Sequence, residues 1–317
     1  MLKYIMLMND VKLFALSNSA ILGNKVAKEL GVPLSKCKTQ RFADGETMVE
    51  FLDSVRGKDV FLIQSTSNPV DISYMELFIA IDALKRASAK SINLIMPYYG
   101  YSRQDRKNGK NREPITAKMI ADLLCCAGID YLLTLDLHVI QIQGFYSIPV
   151  DNTSAIPLLA NYFNKKELDN LVVISPDHNG LKKAKDLADL LHAPVAIIDK
   201  ERKGPDIVEA KAIIGDIKNK NILIVDDIVD TGSTIIETSN LLKKEGVKDI
   251  YVACSHAVFS NNAEQKLHDS IIKEIVITDS INFSPKSDKI HIISISKLLA
   301  DIIRRISKGK SISDYIQ

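Results

Sequence analysis

Short apolar runs recur along this chain with stretches of helical period between them, and that alternation limits its fold more than any other feature. The runs read as strands are "VKLFAL" (11–16), "DVFLIQ" (59–64), "INLIMP" (92–97), "YLLTLDLH" (131–138), "LVVISPD" (171–177), "VAIID" (195–199), "NILIVDD" (221–227), "IYVACSH" (250–256) and "EIVITDS" (274–280). Several are apolar on both faces, as parallel strands are when helices cover each side of their sheet. The segments between them carry helical spacing. In "ITAKMIADLLCCAG" (115–128), Ile120, Leu123, Leu124 and Ala127 share one face, and Gly128 supplies the stop. Further on, Ile235, Thr238, Leu241 and Leu242 form the inward face of a helix that stops at Gly246. The βα order predicts an α/β fold of doubly wound, mainly parallel sheets.

The cycle breaks at "PVDNTSAIPL" (149–158), a stretch richer in turn residues, and starts again beyond it. Two domains are therefore expected, residues 1–155 and 156–317, and 317 residues are enough for both to bury a core. Each half has a strand that runs into a proline turn and a polar loop, "MPYYG" and "SPDHNG", although the likeness is too faint to count as a repeat. With 46% hydrophobic residues, 25% charged residues and a net charge of +2, the chain is neither disordered nor a dedicated nucleic-acid binder. Cys37, Cys125, Cys126 and Cys254 show neither a CxxC pair nor zinc-ligand spacing, so they read as reduced thiols in a cytoplasmic protein. The opening "MLKYIMLMNDVKLFAL" is interrupted by charges and lacks a cleavage site, and no apolar run reaches about 18 residues. Neither a signal peptide nor a membrane span is expected.

Ligands of open α/β sheets bind at the carboxyl ends of strands. In "NILIVDDIVDTGSTI" (221–235), such an end carries Asp226 and Asp227, and Asp230 opens a loop of small polar residues that leads into a helix. Thr231, Gly232, Ser233 and Thr234 offer N–H groups and hydroxyls to a phosphate at the helix N-terminus, with Gly232 allowing close approach. The carboxylates would repel that phosphate, but they suit sugar hydroxyls, directly or through Mg²⁺. The ligand that wants both is a sugar phosphate. An N-capped helix with acids in its first turn explains a bare cluster of this kind about equally well.

Other stretches sharpen this reading. "RFADGETMVEF" (41–51) is by itself a turn at Gly45 before a strand. "PYYGYSRQDRKNGKNREPITAK" (97–118) puts Arg103, Arg106, Lys107, Lys110 and Arg112 in one loop, which is a solvated charged loop, a nucleic-acid patch or a polyphosphate site. In "LDLHVIQIQGF" (135–145), His138 stands beside Asp136 at a strand end, a credible metal or phosphate contact. Asp177 in "SPDHNG" ends another strand, and Lys200 and Arg202 in "IIDKERKGPD" read as part of a turn with Gly204 and Pro205. Taken in order, "FADGE", "RASAK", "PYYGYSRQDRK", "REPITAK", "DLH", "QIQGF", "PVDN", "SPD", "IIDK" and "VDDIVDTGSTI" resemble the ribose-phosphate pyrophosphokinase family over almost the whole chain. Transferases that consume phosphoribosyl diphosphate (PRPP) share the last motif, but not "FADGE" or "RQDRK".

The resemblance implies two tandem type I phosphoribosyltransferase-like domains. It also implies transfer of the pyrophosphoryl group of ATP to the anomeric hydroxyl of ribose 5-phosphate, giving PRPP and AMP for nucleotide biosynthesis. It assigns ATP to Phe42, Asp44, Gly45, Glu46, Arg103 and Gln104, with Phe42 stacking on adenine. It assigns Mg²⁺ to His138 and Asp177, with Asp136 a further candidate, and catalysis to Lys200 and its partner Arg202 on a flexible loop. Ribose 5-phosphate falls to Arg202, Asp226, Asp227 and Asp230 to Thr234. The family's ATP segments can come from a neighbouring subunit, so the resemblance implies a homo-oligomer, a hexamer. The chain departs from the pattern at Asn111, Ser147, Asn179, Lys183 and Glu201; an arginine is usual where Lys183 stands. A regulatory subunit that has lost its chemistry is disfavoured by the retained Lys200, Arg202 and His138. A nucleic-acid module is disfavoured because no base-stacking pattern accompanies the basic loop beyond Tyr98, Tyr99 and Tyr101.

Overall fold

The computed structural model describes residues 10–107, 109, 112–176, 180–202 and 208–316, with backbone alone at 199–202 and 208–212. Two compact units emerge. The first comprises the chain up to Ser154, Ser280–Asn282 and the chain from Ser294 on, and the second comprises Ala155–Asp279 and Phe283–Ile293.

In the first unit the elements run β1 (Val11–Ala15), α1 (Ala20–Leu30), β2 (Cys37–Arg41), β3 (Thr47–Phe51), β4 (Asp59–Ile63), α2 (Val70–Arg86), β5 (Ser91–Met96), α3 (Thr116–Ala127), β6 (Tyr131–Leu135) and β7 (Val150–Thr153). Strands β1-β4-β5-β6-β7, in that order, form a sheet whose neighbours are all parallel. The expected pattern of two-sided burial holds where it should: Val60, Phe61, Leu62 and Ile63 of β4 are all buried, as are Leu94, Ile95 and Met96 of β5. Helix α3 stops at Gly128, whose φ of +108° lets its N–H turn back to the carbonyl of Leu124. Its buried face is Ala117, Ile120, Ala121 and Leu124, whereas Leu123, expected to point inward, is 43% exposed. One position along a helix turns a side chain about 100°, so Leu123 sits beyond the edge of that face. Strands β2 and β3 pair antiparallel as a separate hairpin.

The second unit contains α4 (Ile156–Asn164), β8 (Leu171–Ser175), α5 (Leu181–Leu191), β9 (Val195–Arg202), β10 (Val208–Ile214), β11 (Asn221–Val229), α6 (Ser233–Lys244), β12 (Ile250–Ala257), α7 (Ala263–His268), β13 (Glu274–Thr278) and β14 (Ile290–Ile293). Its sheet order is β10-β9-β8-β11-β12-β13-β14, parallel except where β10 returns along β9. Helix α6 buries Ile235, Thr238, Ser239 and Leu242.

The last helix, α8 (Ser296–Ile306), belongs to the first unit and packs on α1. Leu299, Ala300, Ile302 and Ile303 of α8 are buried, as are Leu22, Val26 and Leu30 of α1. Each large aliphatic side chain taken from water this way stabilises by about 1.5–3 kcal/mol. Beyond α8, Ile316 bridges to Thr153, and the Thr153 hydroxyl donates to the carbonyl of Tyr315 at 2.5 Å. The tail thus returns to the first unit, whereas the sequence reading grouped it with the second half.

Candidate functional site

Strand β11 is the centre of the second unit's sheet, and its length makes the site. It pairs with β8 only from Asn221 to Ile224, but β12 follows it as far as Val229. Asp226 and Asp227 therefore stand on the stretch that has lost its β8 neighbour, at the carboxyl end of the strands, which is where open α/β sheets take ligands. Asp226 is half-buried and its Oδ1 accepts the N–H of Asp227 at 2.8 Å. Asp227 is buried, and Lys183 on the first turn of α5 reaches its Oδ1 at 2.9 Å. The Cys254 thiol donates to the Asp227 carbonyl at 3.3 Å. Burial, and then the charges of Asp226 and Asp227, push the pKa of that thiol well up, so it stays protonated.

The loop that follows is built from Asp230 to Ser233. Gly232 has a φ of +75°, and a Cβ on it would lie 3.2 Å from Leu267 Cγ on α7, so both backbone and space favour glycine. Thr231 Oγ1 accepts the N–H of Ser233 at 3.5 Å, and α6 starts there, with Ser233 and Thr234 exposed. Asp230 accepts the hydroxyl of Ser260, which follows β12. The acids and the small-residue loop predicted from sequence are thus together in one unit. Ser260, Leu267 and the ion pair of Lys183 were not foreseen in these roles, because they come from distant segments with no local signature.

The first unit holds the ATP-like segments in two places. Arg103 and Gln104 line a cavity of about 500 Å³ with Tyr98, Tyr101, Asp71 and Asn68. The Gln104 side chain accepts the Thr116 hydroxyl at 2.5 Å, which fixes its amide. Tyr101 donates to Asp71, whose carboxylate raises the pKa of the phenol. Phe42, Asp44, Gly45 and Glu46 are elsewhere, at the β2–β3 hairpin tip, and none lines that cavity. The tip closes on itself: Phe42 and Glu46 share a backbone bond of 2.9 Å, and Asp44 Oδ1 accepts the N–H of Glu46 at 3.1 Å. All five residues from 42 to 46 are exposed, and Phe42 is 53% so.

His138 is half-buried just after β6. Asp136 is buried and accepts the Ser154 hydroxyl at 2.7 Å, so it anchors a loop. Ser147 is exposed. Asp177, Asn179 and Asn111 lie outside the described residues, as do the side chains of Lys200, Glu201 and Arg202. The backbone of Lys200 and Arg202 is nevertheless strand, with Lys200 opposite Ala210 and Arg202 opposite Val208. This corrects the expectation of a loop at those positions. The sequence reading ended the strand at the charged run, but β10 supplies backbone partners beyond it. Among the described residues no three of His, Cys, Asp or Glu come together as a metal cage, and no helix is long and apolar enough to cross a membrane.

Two family models match the chain: the N-terminal domain of ribose phosphate pyrophosphokinase over residues 11–128, and a phosphoribosyl synthetase-associated domain over 205–317. A ribose-phosphate pyrophosphokinase of Bacillus caldolyticus is 48% identical over 307 residues, covering 96% of this chain and 97% of the relative. A ribose-phosphate pyrophosphokinase 2 of Enterococcus faecalis is 48% identical over 311 residues, covering 97% of this chain and 96% of the relative. The crystal structure of a phosphoribosylpyrophosphate synthetase from Mycobacterium smegmatis superposes with a TM-score of 0.89 at 40% identity, covering 95% of this chain and 99% of that one.

Proposed function

This chain belongs to the ribose-phosphate pyrophosphokinase family, and on that premise we propose that it moves the pyrophosphoryl group of ATP to the anomeric hydroxyl of ribose 5-phosphate, releasing AMP and PRPP. The observation that carries the acceptor half is the end of β11 beyond its pairing with β8, where two carboxylates adjoin a small-residue loop at a helix start. Asp226 and Asp227 accept the ribose hydroxyls, and Thr231 to Thr234 receive the 5-phosphate through N–H groups and hydroxyls. Arg202 assists at the same substrate.

On the donor side, Arg103 and Gln104 hold ATP at the cavity they line, with the guanidinium toward the phosphates. The Phe42 hairpin is displayed to solvent away from that cavity, so it serves best in the site of a neighbouring subunit, within a homohexamer. Phe42 then stacks on adenine while Asp44, Gly45 and Glu46 bond the base. Lys200 and Arg202 bring positive charge to the β-phosphorus as the hydroxyl attacks in line and AMP leaves.

His138 and Asp177 would hold Mg²⁺, with water and substrate phosphate supplying the rest of its oxygen shell. Mg²⁺ supplies charge neutralisation on the phosphate oxygens. The free thiols Cys37, Cys125, Cys126 and Cys254 support a cytoplasmic setting.

Incubation with Mg²⁺, ATP and ribose 5-phosphate tests the reading through its nucleotide product. AMP formed in step with PRPP supports it. ADP, or no turnover, sinks it.

A further inference from the structure

Among the described residues most ion pairs lie at the surface, but the one between Lys183 and Asp227 is largely buried. On α5, Lys182 and Asp186 pair at 3.0 Å with side chains 74% and 39% exposed, an arrangement that water screens almost completely. The next residue, Lys183, faces the other way. Its Nζ lies 2.9 Å from Asp227 Oδ1, and the two side chains are only 16% and 8% exposed. Helix α5 packs on β8, β9 and β11, so its first turn delivers this ammonium to the point where β11 outruns β8.

Charge at this point is crowded. Asp226 and Asp227 are adjacent, tied by the bond from the Asp227 N–H to Asp226 Oδ1, and both raise the pKa of the buried Cys254 thiol. Two carboxylates side by side at one strand end repel each other, and each can turn about its side-chain torsions. A cation fixed on one oxygen counters both effects.

We propose that Lys183 is a positioning residue for ribose 5-phosphate: it fixes the Asp227 carboxylate and offsets its charge, so that both acids can face one sugar. It acts through Asp227 and not on the reacting atoms. The proposal rests on the reading that the loop at 226–234 binds ribose 5-phosphate. Arginine at this position would keep the positive charge beside Asp227, although its planar fork differs from the ammonium in shape and hydration.

Lys183→Met keeps the apolar stem and removes the charge. Binding of ribose 5-phosphate is measured by calorimetry, and KM for each substrate by steady-state turnover. The expected result is a rise of roughly tenfold or more in both Kd and KM for ribose 5-phosphate, with KM for ATP within about twofold of the parent. Lys183→Arg returns the values to within about threefold. In an Asp227→Asn background, Lys183→Met should add less than about twofold, because its target charge is already gone. This double variant also leaves no uncompensated buried carboxylate, so it reports even where the single variant folds poorly.

An unchanged Kd for ribose 5-phosphate in Lys183→Met overturns the proposal. So does an undiminished effect in the Asp227→Asn background, since Lys183 would then touch the ligand itself. A parent protein that binds ribose 5-phosphate but yields ADP defeats the pyrophosphoryl-transfer reading and leaves the role of Lys183 standing. One that binds no ribose 5-phosphate defeats both.

Discussion

The loop at 226–234 is braced from several sides, whereas among the described residues the hydrogen bonds of the hairpin tip at 42–46 run within its own turn. Under the first lie Leu267, Ser260 and Cys254, and beside it Lys183, all from its own unit. The second has two backbone bonds and one side-chain bond across its own turn, and its aromatic ring is more than half exposed. A braced loop can present a geometry before its ligand arrives, so less ordering is left to be done on binding. A bare tip bearing Phe42 contributes only when something is laid against it. The small-residue loop is therefore held in place by its own unit, whereas the tip that bears Phe42 is held by little but its own turn.

Three substitutions try that contrast. Asp226→Asn keeps an acceptor oxygen for the Asp227 N–H but removes a charge from the sugar. Loss of one charge-assisted bond is worth about 1.5–3 kcal/mol, so kcat/KM for ribose 5-phosphate should fall by roughly 10–10²-fold while KM for ATP holds within about twofold. An equal loss toward ATP would show that the two regions are not separate.

Phe42→Ala should do the opposite. Removing a base-stacking ring costs about 1–3 kcal/mol, so KM for ATP should rise about tenfold with ribose 5-phosphate affinity unchanged. Because the ring is exposed, Tm should not move measurably. A clear drop in Tm would mean that Phe42 holds structure instead of ligand.

Gly232→Ala should have the smallest catalytic effect and the clearest stability effect. A left-handed alanine costs roughly 1–2 kcal/mol, and its Cβ meets Leu267 at 3.2 Å. Each kcal/mol lost lowers Tm by roughly 2–4 °C, and ribose 5-phosphate affinity should weaken only a few-fold. Unchanged stability would mean that the loop is not braced by α7 after all.

What the sequence revealed depends on how locally each feature is encoded. The strand, acids, small-residue loop and helix of 221–244 are contiguous, so they could be read directly and their chemistry inferred. The parallel strands β4, β5, β6, β8, β11, β12 and β13 announced themselves by unbroken aliphatic runs. Strand β7, "VDNT", did not, because it is short and polar and owes its state to pairing with β6. Strand β14 likewise exists through β13. At Lys200 and Arg202 the charged side chains suggested a turn, but strand state is decided by the backbone partner, and β10 provides one. The braces of the site were least visible of all. Lys183 looked only like a substitution for arginine, and nothing about Ser260 or Leu267 in sequence ties them to Asp230 or Gly232. Such contacts are set by topology, which brings together segments that carry no mark of each other.

The return of α8 and the tail to the first unit has a consequence for the order in which the molecule is made. A ribosome releases β1 to β7 first, yet α1 waits for α8, and Thr153 waits for Tyr315 and Ile316. In between, the whole of the second unit leaves the exit tunnel with its sheet complete. The unit begun first is the one finished last, and until then the apolar face of α1 that packs on α8 stays uncovered.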